Sequence, residues 1–132
     1  MKLLRNALYL AAASWAACGI AVALFPATIL VSWFDQPPYP DDAYVRSTGI
    51  LCAGMALLMV LVAQRLDSVW WWSWAFAITS AGLATVSAIN AIWGLPPHAG
   101  ALIWWLFAGG NFVLTALILL GMESASHEKP FV

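Results

Sequence analysis

Long apolar stretches separated by short polar punctuation organise this chain. Reading hydrophobic against polar positions marks four of them, at about 7–25, 43–64, 69–93 and 101–122. Each holds roughly twenty residues, and at about 1.5 Å per residue such a helix crosses a hydrocarbon core of about 30 Å. The expectation is an all-α polytopic membrane protein: one domain over residues 1–132, four transmembrane helices in a compact antiparallel bundle, and a polar tail at 123–132.

The punctuation sets the turns. Pro26 ends or kinks the first span, because proline lacks the N–H that the next helical turn needs. Residues 28–34, with Ile29, Trp33 and Phe34, suit the membrane interface. Asp35-Gln-Pro-Pro-Tyr-Pro-Asp-Asp42 is a short loop kept extended by its prolines, and Asp41 or Asp42 is placed to cap the second helix. Gln64-Arg65-Leu66-Asp67-Ser68 is a tight turn into Val69-Trp-Trp-Trp-Ser-Trp74, a tryptophan cluster suited to headgroup depth. Gly94-Leu-Pro-Pro-His-Ala-Gly100 turns the chain a third time. Met1-Lys2-Leu3-Leu4-Arg5 opens like a signal peptide, and Ala16-Ala17-Cys18-Gly19 faintly resembles a lipoprotein cleavage site. Trp15 stands where such sites want Leu, however, and the apolar run continues to about Val31, too long for a signal segment. The expectation is a retained anchor.

Composition narrows the class. With 64% hydrophobic and 8% charged residues, the chain lies far from the roughly 25% charge of soluble domains. A net charge of −1 offers no basic surface for nucleic acid. The few basic residues also orient the spans. Lys2, Arg5, Arg65 and Lys129 fall on one side of a four-span chain, while Asp35, Asp41, Asp42 and His98 fall on the other with Arg46. The positive-inside rule then puts both termini in the cytoplasm of a cell whose plasma (inner) membrane holds the protein.

Candidate chemistry is sparse. Arg46 lies one turn inside the second span. It is either a lipid or anion contact, through its planar fork, or a structural charge paired with Asp42 four residues earlier. The helical spacing favours the ion pair. Asn111, mid-way along the fourth span after Gly109-Gly110, and Asn90, near the outer end of the third, suit interhelical polar contacts. Small residues recur every four positions at Ala13-Ala17-Ala21, Gly49-Ala53 and Ser80-Ala84-Ala88, marking close-packing faces. Thr79, Ser80, Thr85 and Ser87 can bond back to their own helix. Cys18 and Cys52 read as free thiols packed among apolar groups. Trp33-Phe-Asp-Gln-Pro-Pro and Trp93-Gly-Leu-Pro-Pro look alike, as short outer turns do. No histidine, Asp or Glu lies within a span, and no nucleophile–base pair or metal-ligand cluster can be assembled. The reading therefore assigns no catalytic residue, no metal and no cofactor.

Phe25-Pro26 closing the first span, followed by Arg46-Ser-Thr-Gly49-Ile-Leu-Cys-Ala-Gly54 opening the second, resembles the DoxX-like group of small four-helix bacterial membrane proteins. The resemblance covers the first half of the chain. It implies a four-helix bundle and, because some relatives are partner subunits of redox complexes, an accessory role; it transfers no catalytic residue. The leading expectation is a non-catalytic accessory or assembly subunit, surrounded by membrane lipids and packed on other transmembrane subunits or on its own copies. The rival is a binder or transporter of lipids or small hydrophobic molecules, with a cavity near Arg46 and Asn111. A membrane enzyme ranks last.

Overall fold

A computed structural model describes residues 1–128. These are helical, without strands, and run as α1 (Lys2–Leu24), α2 (Ala43–Gln64), α3 (Leu66–Val69), α4 (Ser73–Ile89) and α5 (Leu102–Glu128). A 3₁₀ turn, Trp70–Trp72, joins α3 to α4, so 66–94 forms one long helical segment. With α1, α2 and α5 it makes four helices long and apolar enough to cross a membrane. Helices suit such a setting because they satisfy every backbone group internally. Helix α1 begins five residues before the expected first span, and the third helical segment begins three residues before the expected third. Another difference is the tail: helix α5 carries on to Glu128, so 123–128 is its last turns rather than an irregular extension. Lys129 lies outside the described residues.

Local chemistry explains the breaks. Phe25 donates the last α-type bond of α1, to Ala21 O at 2.9 Å, and Pro26 has no N–H to continue. The chain resumes as a wider π-helix over Ala27–Trp33, the stretch expected to lie in the interface. A second π-helix, Asn90–Gly94, closes the outer end of the third segment. At the opposite end Arg65 O receives the N–H groups of Ser68 and Val69 and the Ser68 hydroxyl, tightening the turn.

Helix α2 lies against α1, α1 against α5, and α5 against α4, while α2 and α4 meet only sparsely. Contacts fix the sense of two pairs. Arg5 lies against Ala63 and Gly19 against Gly49, so α2 returns along α1. The Met1 ammonium meets Glu128 Oε1 at 2.6 Å and Leu4 meets Gly121, so α5 also runs opposite to α1. Lys2, Arg5 and Arg65 consequently share one end, here called the basic end. The turns carrying Asp35, Asp41, Asp42 and His98 form the outer end.

The core is not centred. It is built from Leu4, Leu8 and Trp15 of α1, Met59 and Val62 of α2, Leu66, Trp70 and Phe76, and Leu114, Ile118 and Met122 of α5. Most of these belong to the half of each helix nearer the basic end, with Trp15 and Leu114 just past the midpoints of α1 and α5. Trp70 is therefore a core residue rather than a headgroup anchor, whereas Trp71, Trp72 and Trp74 are half exposed around it. Two close approaches shape the packing. A Cβ on Gly121 would lie 2.6 Å from Leu4 Cα, and one on Gly19 would lie 2.6 Å from Gly49 O. Of the small-residue stripes, Gly49 and Ser80-Ala84 are buried as expected, but Ala13 and Ala17 are exposed. Helix α1 packs instead through the stripe Leu4, Ala7, Leu8, Ala11, Ala12, Trp15 and Gly19.

Candidate functional site

The outer end holds most of the candidate residues. Two carboxylates open α2 and do different work. Asp41 Oδ1 accepts the Ala43 N–H at 2.8 Å, capping the helix. Asp42 stands four residues before Arg46, with Oδ2 at 4.0 Å from Nη2. That pair is at the limit of an ion-pair contact, with the side chains 42% and 47% exposed, and is a weak interaction. The stronger partners of Arg46 are carbonyls of α1: Nη1 donates to Ala23 O at 2.7 Å and to Leu24 O at 3.4 Å. These are among the last carbonyls of α1, which have no partner within their own helix and sit at the negative end of its dipole.

Arg5 does the same at the basic end. Its Nε donates to Ala63 O, at the C-terminus of α2, at 3.2 Å. Each helix of this hairpin thus sends an arginine from its first turns to the C-terminal carbonyls of the other. The spacing to Asp42 signalled a structural Arg46, but its principal acceptor lies on another helix, which spacing within one helix cannot show.

Asn111 does not reach a neighbouring helix. Its Nδ2 donates to Phe107 O, one turn back in α5, at 3.0 Å, and Oδ1 is buried without a hydrogen-bond partner. Asn90 is partly buried, with its amide folded over Gly94, so that a Cβ there would collide with Asn90 Oδ1. On α4, Thr79 and Thr85 bond back to Ala75 O and Ala81 O as expected. Ser80 does not. Ser73 and Ser80 are fully buried, and neither hydroxyl has a partner. Cys18 and Cys52 are free thiols, but Cys18 is exposed rather than packed.

The residue that joins the outer turns is Gln36, which the sequence reading passed over. It is 5% exposed and uses both ends of its amide. Nε2 donates to Phe34 O at 2.9 Å and to Gly100 O at 2.6 Å, while Oε1 accepts from Trp104 Nε1 at 3.0 Å. Gly100 N–H in turn donates to Asp35 O at 3.1 Å. The first outer turn, the last turn and the start of α5 are therefore one hydrogen-bonded unit. Asp35 and His98 flank it with φ of 50° and 74°, a region that Asp, Asn and His enter more readily than most residues.

Two shallow cavities open at this end. One, of about 350 Å³, is lined by Val31, Asp35, Gln36, Pro37, Pro97, His98 and Ala99. The other, of about 280 Å³, is lined by Tyr39, Pro40, Asp41, Tyr44, Val45 and Thr48. Neither is lined by Arg46 or Asn111. Burial pushes the Tyr39 phenol above its ordinary pKa of 10.0. Among the described residues no three His, Cys, Asp or Glu side chains come together.

Compared with known proteins, the chain matches no family model, no curated sequence and no solved structure. The geometry therefore carries the functional argument by itself.

Proposed function

We propose that this protein is a small non-catalytic integral membrane subunit, of the plasma (inner) membrane, that packs against the helices of a partner. In this reading the four long helices form a compact antiparallel bundle in the bilayer with both termini in the cytoplasm. The side-by-side Met1 ammonium and Glu128 carboxylate, and the gathering of Lys2, Arg5 and Arg65 at one end, support that orientation.

The observation that carries the partner reading is where glycine sits on the outward faces. Gly54 of α2 and Gly109 and Gly110 of α5 have nothing within 4 Å of where a Cβ would be. Exposed apolar side chains alone mean little in a membrane protein, since lipid accepts them. Glycine weakens a helix by about 1 kcal/mol relative to Ala, and a notch in an outer face lets a second backbone come close. Leu106 and Val113 flank the α5 notch, and Ile50 and Leu58 flank that of α2. The accessory role is also what the resemblance to the DoxX-like group implies.

Purification of the tagged protein from its native membranes in mild detergent tests the reading. A transmembrane partner, or a second copy, should co-purify, and Gly109→Leu with Gly110→Leu should release it while the thermal transition stays in place. Co-purification unchanged by filling the notches on both helices would overturn the proposal. Reporter fusions after Pro40 and at the C-terminus check the orientation, and a cytoplasmic reporter at residue 40 would reverse it.

The rival reading, a binder or transporter of lipids or small hydrophobic molecules, keeps one supporting observation: the buried, unpartnered Oδ1 of Asn111. The two outer cavities are lined by other residues, which leaves that reading second.

A further inference from the structure

We infer that the cavity at the start of α2 is a binding site for an alkylammonium group, such as the headgroup of a zwitterionic lipid or a free quaternary amine. The inference is independent of the partner reading above.

The cavity combines two aromatic rings with one carboxylate that no cationic side chain among the described residues pairs with. Tyr39, 39% exposed, forms its more sheltered wall, and Tyr44, which is 80% exposed, forms its open wall. Asp41 completes it. Its Oδ1 is held by the Ala43 N–H, and among the described residues it has no cationic partner. The nearest arginine in sequence, Arg46, is turned toward α1 and lines no part of the cavity. The Thr48 hydroxyl donates to Tyr44 O, so no free donor is aimed inward from it. What remains is a concave surface that is apolar, ring-lined and negative at one edge.

The N-terminus of α2 contributes only about half a positive charge here, which the carboxylates of Asp41 and Asp42 outweigh, so the combination disfavours an anion and suits a cation with a greasy shell. A quaternary ammonium is attracted to the faces of tyrosine rings, and its methyl groups tolerate the Pro40 and Val45 side chains. Size points the same way. At about 280 Å³ the cavity is just below the roughly 300–1,000 Å³ of sites for drug-sized molecules, so it takes a headgroup and not a whole ligand. Its place at the outer rim, where α2 begins, puts it at headgroup depth. The local charge agrees, because Asp35, Asp41 and Asp42 face only Arg46 at this end.

The chain has three tyrosines, and Tyr9 lies in the half of α1 nearer the basic end, so ring resonances provide both signal and control. The experiment uses full-length protein with ¹³C-labelled tyrosine in nanodiscs of dioleoylphosphatidylglycerol. It is titrated with tetramethylammonium chloride against sodium chloride at equal ionic strength. A second arm replaces the phosphatidylglycerol by dioleoylphosphatidylcholine.

Tyr39 and Tyr44 should shift saturably with tetramethylammonium while Tyr9 does not. If phosphatidylcholine discs give the same shifts without added salt, the source is the lipid headgroup. If only the soluble ion does so, the site serves free amines. Asp41→Asn keeps the oxygen that caps Ala43 but removes the charge, so it should weaken binding several-fold with the fold intact. Tyr39→Leu or Tyr44→Leu should weaken it about two- to fivefold each, whereas the Phe variants, which keep the ring, should bind nearly as well. No saturable shift at Tyr39 and Tyr44 in either arm would overturn the assignment. So would equal movement of Tyr9, or wild-type binding by Asp41→Asn.

Discussion

The two ends of this molecule are held together by different means. Nearer the basic end, large side chains from α1, α2, α5 and the third segment meet in a continuous core, with Leu4, Leu8, Met59, Leu66 and Ile118 fully buried. Toward the outer end that core gives out, and contact depends on small residues and on polar groups reaching backbone carbonyls. Gly19 meets Gly49, Arg46 meets Ala23, and Gln36 joins two turns. Both π-helices, both positive-φ residues and both cavities lie in this outer region. The difference teaches that side-chain packing holds one end while backbone and polar contacts hold the other.

If that division is right, truncation in the core should have the largest effect. Leu8→Ala and Ile118→Ala should each cost about 2 kcal/mol, near the low end of the usual large-to-small range. Lipid is as apolar as leucine, so the loss is mainly contact rather than transfer. Thermal unfolding in a mild detergent measures it. Leu102→Ala, at an exposed outer position, should change the midpoint very little. Equal losses at the two positions would erase the comparison.

Next in size is the glycine crossing. A Cβ on Gly49 would collide with Gly19 O, so Gly49→Ala should cost about 1–3 kcal/mol. The separation of α1 and α2 would be concentrated at the outer end. Distance measurements between spin labels on the outer turns of the hairpin, against labels at the basic end, should show that asymmetry.

Gln36→Leu should be milder globally and sharper locally. It leaves Phe34 O, Gly100 O and the Trp104 N–H without their partner, and the residues that carry these groups are only partly buried. The expected cost is about 1 kcal/mol. Hydrogen exchange should rise over 34–37 and 98–104 and remain unchanged over 114–125. Faster exchange throughout the chain would mean that the outer unit supports the core.

The smallest effect expected is at Arg46. An ammonium reaches carbonyls and Asp42 nearly as well as a guanidinium, so Arg46→Lys should be close to neutral. Arg46→Leu should cost about 0–1 kcal/mol, as for half-exposed pairs elsewhere. Loss of a specific bound lipid in Arg46→Lys at unchanged stability, read by native mass spectrometry, would instead make this residue a ligand contact.

The spans, their order and their turns were legible in the sequence because hydrophobic length and proline position are local properties. Pro26 and the Asp35–Asp42 loop mark their breaks without help from the rest of the chain. What pairs with what was not legible. Ala13-Ala17-Ala21 and Gly49-Ala53 have the same spacing, yet only the second faces a helix, because neighbours decide which side of α1 is buried. Asn111 satisfies half of its amide within its own turn, an option open to any helical asparagine and invisible to a count of polar residues. Gln36 was missed for the same reason. In a loop between Asp35 and Pro37 it looks like solvent-facing polarity, and its three partners are backbone and indole groups with no sequence signature.

The exchange of arginines between α1 and α2 bears on the order in which the chain can complete its structure. Synthesis delivers α1 first, with Arg5 already present and its acceptor on Ala63 not yet made. The carbonyls at the end of α1 likewise wait for Arg46. Neither helix is electrostatically complete until the other has arrived, so the smallest stretch of chain with both arginines and their acceptors in place is the hairpin.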